Sequence, residues 1–176
     1  MDSAAKTCGS CSLCCKLLAI DELAKPPGDW CPHVAIGKGC TIYETRPGSC
    51  RTFQCFWLSL PKLDASWRPD RCGFVLRDAG SGLLLVEVEP SKPDAWRRQP
   101  YYAQLKHWSQ ATPAGTGMVV VKVRGSATVV LPDADLAIGR VADDDNIWAG
   151  YEVKAGLRRA VATVTSADGA VRRVTG

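Results

Sequence analysis

The stretch Cys8-Gly9-Ser10-Cys11-Ser12-Leu13-Cys14-Cys15 places four cysteines within eight residues. All nine cysteines of the 176-residue sequence fall within residues 1–72. Thiols at this density, in a chain whose N-terminus lacks the apolar run of a secretory signal, are more typical of metal ligands than of disulfides. The sequence therefore predicts that bound metal organises residues 1–72.

The spacing of these cysteines allows several of their sulfurs to bind the same metal ion. A C-x2-C turn brings two sulfurs within reach of one tetrahedral ion, and Cys14 extends the run to three sulfurs on one loop. We expect the adjacent side chains of Cys14 and Cys15 to diverge, so that one of them serves a second metal or stays free. Nine sulfurs and one imidazole exceed the ligands of a single tetrahedral site, which predicts about two metal sites or one polynuclear cluster. The candidate ligands are Cys8, Cys11, Cys14, Cys15, Cys31, His33, Cys40, Cys50, Cys55 and Cys72.

Spacing alone leaves the metal open between zinc and iron. A mixed Cys/His set favours zinc, whereas cysteine-only sets of this size are typical of iron–sulfur clusters, including [4Fe-4S]. His33 is either a ligand or a hydrogen-bond donor to a ligand sulfur. Cys72, isolated between Arg71 and Gly73, is either a ligand or a small buried apolar side chain.

Three segments carry a resemblance to a known family. They read Cys8-x2-Cys11-x2-Cys14-Cys15, then Trp30-Cys31-Pro32-His33, then Gly39-Cys40-Thr41-Ile42-Tyr43-Glu44-x-Arg46-Pro47-x2-Cys50-Arg51-x-Phe53-x-Cys55-x-Trp57. Over residues 8–60 the chain resembles the zinc- or iron-chelating CxxCxxCC domain family of the YkgJ type. The resemblance implies a compact metal-chelating domain with eight family cysteines, which map onto Cys8, Cys11, Cys14, Cys15, Cys31, Cys40, Cys50 and Cys55. A related cysteine block in flagellin lysine methylases is considered to hold an iron–sulfur cluster, and the resemblance implies no particular activity.

Charge and hydropathy limit the classes of partner that the chain is expected to bind. The formal net charge is +4, with nine Lys/Arg against seven Asp/Glu in residues 1–72 and thirteen against eleven in residues 73–176. This balance does not favour a nucleic-acid partner. The sequence also lacks the roughly 20 consecutive apolar residues of a membrane span. We expect a cytoplasmic protein without a membrane partner.

The pattern predicts an α+β protein. Its cysteine-rich metal-chelating lobe, residues 1–72, is loop-rich, with short helices over 14–24 and 50–60. Residues 73–176 form a small mixed α/β part with one broken helix and antiparallel hairpins. The helix begins near Ser91 and resumes over 101–110 after Pro100. Strands are predicted over 83–88, 118–123, 127–131, 137–141, 158–164 and 170–174.

Three functions compete. The favoured one is a metal-binding protein that uses the cysteine lobe for metal handling, sensing or cluster carriage and presents it to a protein partner. The alternative is an iron–sulfur redox enzyme, or an accessory protein of one, that holds an electron-transfer cluster with the same cysteines. A nucleic-acid-binding zinc module is the third. Residues 73–176 show no catalytic constellation, and the acidic run Asp143-Asp144-Asp145 is typical of a solvated loop.

Overall fold

Helices and strands both contribute substantially to the structure, a computed structural model that describes residues 6–80, 82–110 and 118–176. With 24% helix, 35% strand and antiparallel hairpins, it has the predicted α+β class. The chain divides into two units. The first consists of Met1–Asp78 and Glu87–Trp96, and the second of Ala79–Val86 and Arg97–Gly176.

Short elements joined by turns make up the first unit. Its helices are α1 (Cys14–Leu17), α2 (Gly48–Thr52), α3 (Phe56–Ser59) and α4 (Pro69–Cys72). Its strands are β1 (Val34–Ala35), β2 (Gly39–Cys40) and β3 (Phe74–Asp78), and single 3-10 turns lie at Asp21–Leu23, Tyr43–Thr45 and Ala65–Trp67. Helices of four or five residues are not stable alone. The unit therefore depends on the contacts that tie these pieces together.

Both helices predicted in the cysteine lobe were wrong in length. The first ends at Leu17, because Leu18 is extended and the chain leaves the helix there. The second is divided into α2 and α3, with Phe53 and Cys55 in extended conformations between them. In each case side chains outside the helix, rather than its own periodicity, fix where the backbone turns.

Strands dominate the second unit. The elements that follow β3 are β4 (Leu83–Val88), α5 (Tyr101–Gln110), β5 (Met118–Val123), β6 (Ser126–Val130), β7 (Asp135–Arg140), β8 (Asn146–Lys154), β9 (Leu157–Thr165) and β10 (Val171–Thr175). In the larger sheet β4, β5, β6 and β7 are neighbours in that order, and the smaller sheet has the order β10-β9-β8. The hairpin pairs β5–β6, β6–β7, β8–β9 and β9–β10 are antiparallel.

An aliphatic core fills the second unit. Side chains from strands of both sheets share one buried cluster, in which Val129 and Ile138 are almost completely inaccessible. The cluster consists of Leu85, Val120, Ala127, Val129, Leu131, Leu136, Ile138, Val141, Ala160, Ala162 and Val164. Burial on this scale is sufficient to hold two sheets together without any bound group.

Most predictions for residues 73–176 are confirmed, but the first part of the broken helix is wrong: the segment that follows Ser91 forms only a 3-10 turn at Ala95–Arg97. The helix over 101–110 and the strands over 83–88 and 118–123 have the predicted bounds, and four further strands differ by two residues or fewer at each end. Strands β3 and β8 were missed. β8 contains Gly150 and alternates only weakly between apolar and polar residues, so its pairing with β9 over nine residues defines it.

We expect Ile138→Ala to lower the free energy of unfolding by about 2–5 kcal/mol, because it leaves a cavity in a fully buried site. The control is Val153→Ala, at a side chain that is 73% exposed on β8, which should cost under about 0.5 kcal/mol. Urea unfolding followed by circular dichroism compares the two. Equal losses would show that this cluster is not the core of the unit.

Candidate metal centre

Eight of the nine cysteines line one cavity of the first unit. The cavity measures about 200 Å³, well above the roughly 10–15 Å³ that one water molecule needs. Its donor side chains are Cys8, Cys11, Cys14, Cys15, Cys31, His33, Cys40, Cys50 and Cys55. All of these cysteines are free thiols. Side chains that are distant in sequence are thus gathered around one space.

Main-chain hydrogen bonds bring the first cysteines together. The N–H of Cys11 donates to the carbonyl of Cys8 at 2.9 Å, which closes the turn between them. The N–H of Cys31 donates to the carbonyl of Cys15 at 3.0 Å, and this bond fixes a later loop against α1. In the β1–β2 hairpin, Cys40 is paired with Val34, so that Cys40 reaches the same cavity.

A glycine contact joins the hairpin to the first cysteine turn. A Cβ atom on Gly39 would stand 2.4 Å from the carbonyl oxygen of Gly9, and Gly39 has a φ of +109°. Only glycine fits both the backbone conformation and the close approach. This contact therefore holds the Cys8–Cys11 turn beside Cys40.

The break between α2 and α3 lets two cysteines face the cavity. On one continuous helix, residues five apart would point about 140° away from each other. The extended backbone from Phe53 to Cys55 removes that constraint for Cys50 and Cys55. Glu22 also fixes α2, because its carboxylate accepts hydrogen bonds from the N–H and the hydroxyl of Ser49 at 2.9 and 2.7 Å.

Both members of the vicinal pair reach the cavity. Cys14 and Cys15 both line the cavity, and the Cys14 thiol donates a hydrogen bond to the Cys15 sulfur. That hydrogen bond raises the pKa of Cys14 far above its ordinary range and lowers the pKa of Cys15 to about 7, with the charge of Lys25 also lowering the latter. The pair therefore loses its first proton more readily than an isolated buried thiol would, because the remaining S–H stabilises the thiolate.

Four further cysteines of the cavity have a pKa that favours the neutral thiol. Burial raises the pKa of Cys8, Cys11, Cys50 and Cys55. Neighbouring sulfurs add to this effect at Cys8 and Cys50, because adjacent thiolates would repel each other. A bound cation would reverse this balance, since a metal ligates the deprotonated sulfur.

Aromatic and basic side chains complete the walls. Tyr43, Phe53 and Trp57 line the cavity, whereas Trp30 is 38% exposed outside it. Arg46 also lines the cavity, where its guanidinium stacks on the Tyr43 ring at 3.8 Å and its Nε donates to the Cys50 carbonyl at 3.4 Å. Its charge favours thiolate at Cys8.

Cys72 lies apart from this group. It is fully buried, does not line the cavity, and its thiol donates to the carbonyl of Phe74 at 3.1 Å. Burial raises the pKa of Cys72 to about 12. These surroundings are those of a small core residue.

Lys25 is a buried residue beside the cysteines that the sequence pattern does not indicate. Its ammonium is buried and donates to three main-chain carbonyls near the end of α1. Nothing in the sequence distinguishes this lysine, in a loop before Pro26-Pro27, from a lysine exposed to solvent. Only the fold shows that its charge is next to Cys15 and Cys31.

The donor set fits zinc or iron in its chemistry, because thiolate and imidazole are ligands of both. Within the described residues, however, no three Cys, His, Asp or Glu side chains already stand close enough to hold one ion. The sulfurs surround the cavity rather than meet at a point. An ion or cluster inside it would have to draw them together.

The acidic loop of the second unit has local partners. Asp143 forms an ion pair with Lys122, and the Asp145 carboxylate accepts from the N–H of Ala142 at 2.9 Å. His107 is exposed on α5. These contacts give the acidic run a structural role.

Comparisons of the chain with protein-family models, curated proteins and solved structures give no match. The resemblance to the CxxCxxCC family therefore rests on residues 8–60 alone. None of the helices in the described ranges is both long and apolar enough to cross a bilayer.

We expect Gly39→Ala to reduce zinc affinity by about tenfold or more, because the new methyl group would separate the Cys8 turn from the Cys40 hairpin. Gly37→Ala is the matched control, since Gly37 has a φ of +74° but nothing within 4 Å of its Cβ position. It carries the backbone strain of about 1–2 kcal/mol without the clash. Competition with a chromophoric chelator measures both variants, and equal losses would contradict the role of the contact.

Proposed function

We propose that this protein chelates zinc or iron, the latter also as an iron–sulfur cluster, through its N-terminal cysteines, and that it serves metal handling, sensing or cluster carriage. We assign it on the same grounds to the CxxCxxCC family of the YkgJ type. The observation that carries the proposal is the convergence of eight cysteines and His33 on one cavity. Chance rarely gathers this many soft ligands from five segments of one chain.

The small apolar content of the lobe supports the same conclusion. Between residues 8 and 60 the buried hydrophobic side chains are Leu13, Leu17, Ile20 and three cysteines. Segments of this size with so little apolar burial usually need disulfides or metals to fold. Other parts of the same unit bury further apolar side chains, among them Trp67, Phe74 and Val75. Since all the cysteines are free thiols, a bound metal would supply the crosslinks that residues 8–60 lack.

Eight cysteines and one histidine suffice for two tetrahedral sites or for one polynuclear cluster with spare ligands. Zinc would crosslink the loops and stabilise the lobe, and an iron–sulfur cluster would add electron transfer. The chain's own contribution is to hold the thiols around one cavity, with Phe53 and Trp57 keeping water from its wall. We place Cys72 outside the ligand set.

The alternative function is an iron–sulfur redox enzyme or an accessory protein of one. The observation that favours this redox function is the size of the cavity, which suits a polynuclear cluster better than a single ion. For either function we expect a protein partner, a cytoplasmic location that keeps thiols reduced, and no nucleic acid.

Metal analysis with an absorption spectrum tests the proposal on protein purified without oxygen and without a metal-affinity tag. Iron with acid-labile sulfide and a broad visible band would support the cluster functions. Zinc with a featureless visible spectrum would support a structural or metal-buffering module. Protein without bound metal that also fails to take up either metal would refute chelation.

Removal of the metal by an added chelator should make residues 8–60 sensitive to protease. The second unit should stay folded, because it has its own aliphatic core. Limited proteolysis with mass spectrometry, before and after chelator, locates the cleavage sites. An unchanged digestion pattern would contradict a stabilising role of the metal.

Cys11→Ser should lower bound metal per chain more than Cys72→Ser does, because Cys11 lines the cavity and Cys72 does not. We expect a loss of affinity of about tenfold or more for the first variant and under twofold for the second. Equal losses of bound metal in the two variants would show that Cys72 is also a ligand.

A further inference from the structure

Lys25 is a buried cation beside the candidate metal centre. It is 5% exposed, and among the residues that the structure describes, Lys25 and Glu89 are the buried charged ones. Burial of an ammonium is costly because it removes the water that stabilises the charge. Burial accordingly lowers the pKa of Lys25, whereas Cys31, Asp29 and Cys15 raise it. The charge therefore requires compensation from its surroundings.

Main-chain carbonyls occupy all three ammonium hydrogens. Nζ donates to the carbonyl of Lys16 at 3.0 Å, to that of Leu18, and to that of Pro26 at 2.9 Å. Lys16 and Leu18 belong to the end of α1, where carbonyls lack partners within the helix. The Lys25 side chain thus holds the loop that follows α1 against the cysteine-bearing helix.

Two other cations next to the cysteines have carboxylate partners. Lys16 pairs with Glu89 at 2.8 Å, and Arg68, which also interacts with Cys11, pairs with Asp70 at 2.8 Å. Lys25 forms no such ion pair within the described residues. Carbonyl dipoles satisfy its donors, but they do not cancel its net charge.

We propose that Lys25 is the fixed counter-ion of the metal–thiolate centre and the positioning residue that orients the Cys14–Cys15 helix toward it. The inference rests on the proposed function, because neutral thiols offer an ammonium little compensation. Metal binding deprotonates the sulfurs, and a divalent ion surrounded by thiolates carries excess negative charge. The metal-bound lobe supplies that charge next to Lys25.

Lys25 accordingly favours metal sites with a net negative charge, in which the number of thiolates exceeds the positive charge of the ion. Cys15 and Cys31 are the sulfurs whose charges act on Lys25 most directly, and a main-chain hydrogen bond joins these two residues. Lys25 therefore discriminates between a thiolate-rich centre and a neutral site with few sulfurs. Carboxylate pairs already balance Lys16 and Arg68, and Arg46, which lines the cavity and stacks on the Tyr43 ring, is less buried than Lys25.

The test compares Lys25→Gln, which keeps hydrogen-bond donors but loses the charge, with Lys25→Arg, which keeps both. Lys16→Gln is the control, because Glu89 already balances the charge of Lys16. Zinc affinity is measured by competition with a chromophoric chelator, and thermal unfolding is recorded with and without zinc. If Lys25→Gln does not fold, Lys25→Met supplies the uncharged variant.

We expect the uncharged variant to lose about tenfold to 100-fold in zinc affinity, as is common when groups behind metal ligands are removed. Lys25→Arg should lose clearly less, and Lys16→Gln under threefold. Equal losses of zinc affinity in Lys25→Gln and Lys25→Arg would show that Lys25 only holds the loop in place. Unchanged zinc affinity in every Lys25 variant would refute any role of Lys25 in metal binding. If the wild-type chain itself binds neither zinc nor iron, the proposed function fails before this comparison is reached.

Discussion

Leu13, Leu17 and Ile20 are the aliphatic side chains that residues 8–60 bury, beside three cysteines, Ser12 and Lys25. The cavity of this lobe is lined by sulfurs together with apolar side chains such as Phe53 and Trp57, and the buried apolar cluster of the lobe is small. Unpaired thiols contribute little to stability, so the lobe depends on whatever joins them. The second unit shows the opposite arrangement, in which eleven aliphatic or alanine side chains form a continuous buried cluster.

The short elements of the lobe are consistent with this dependence. The helices α1, α2 and α3 have four or five residues each, and each ends close to a cysteine that reaches the cavity. Their ends are fixed by specific bonds, including those of Lys25 at α1 and of Glu22 at α2. The close approach of Gly39 to Gly9 joins the hairpin to the first turn. The backbone is thus arranged to present sulfur, and apolar packing is secondary.

The sequence predicted the second unit better than the lobe. Runs such as 118–123 are strands because β-branched residues repeat over a buried sheet, and their bounds follow from the pattern itself. In the lobe, the predicted helix over 50–60 breaks because Cys50 and Cys55 face one cavity, a constraint that periodicity does not contain. The cysteines on the cavity wall were all among the candidates. Lys25 was not, since its burial follows from long-range contacts.

The central claim is that these thiols hold one sulfur-ligated metal centre. X-ray absorption spectroscopy at the metal edge, on protein purified without oxygen, tests it most directly. The account predicts a shell dominated by sulfur at about 2.3 Å when zinc is bound, with additional metal–metal scattering if the centre is polynuclear. A shell made mainly of oxygen and nitrogen would show that the cysteines of the cavity are not the ligands, and would contradict the account.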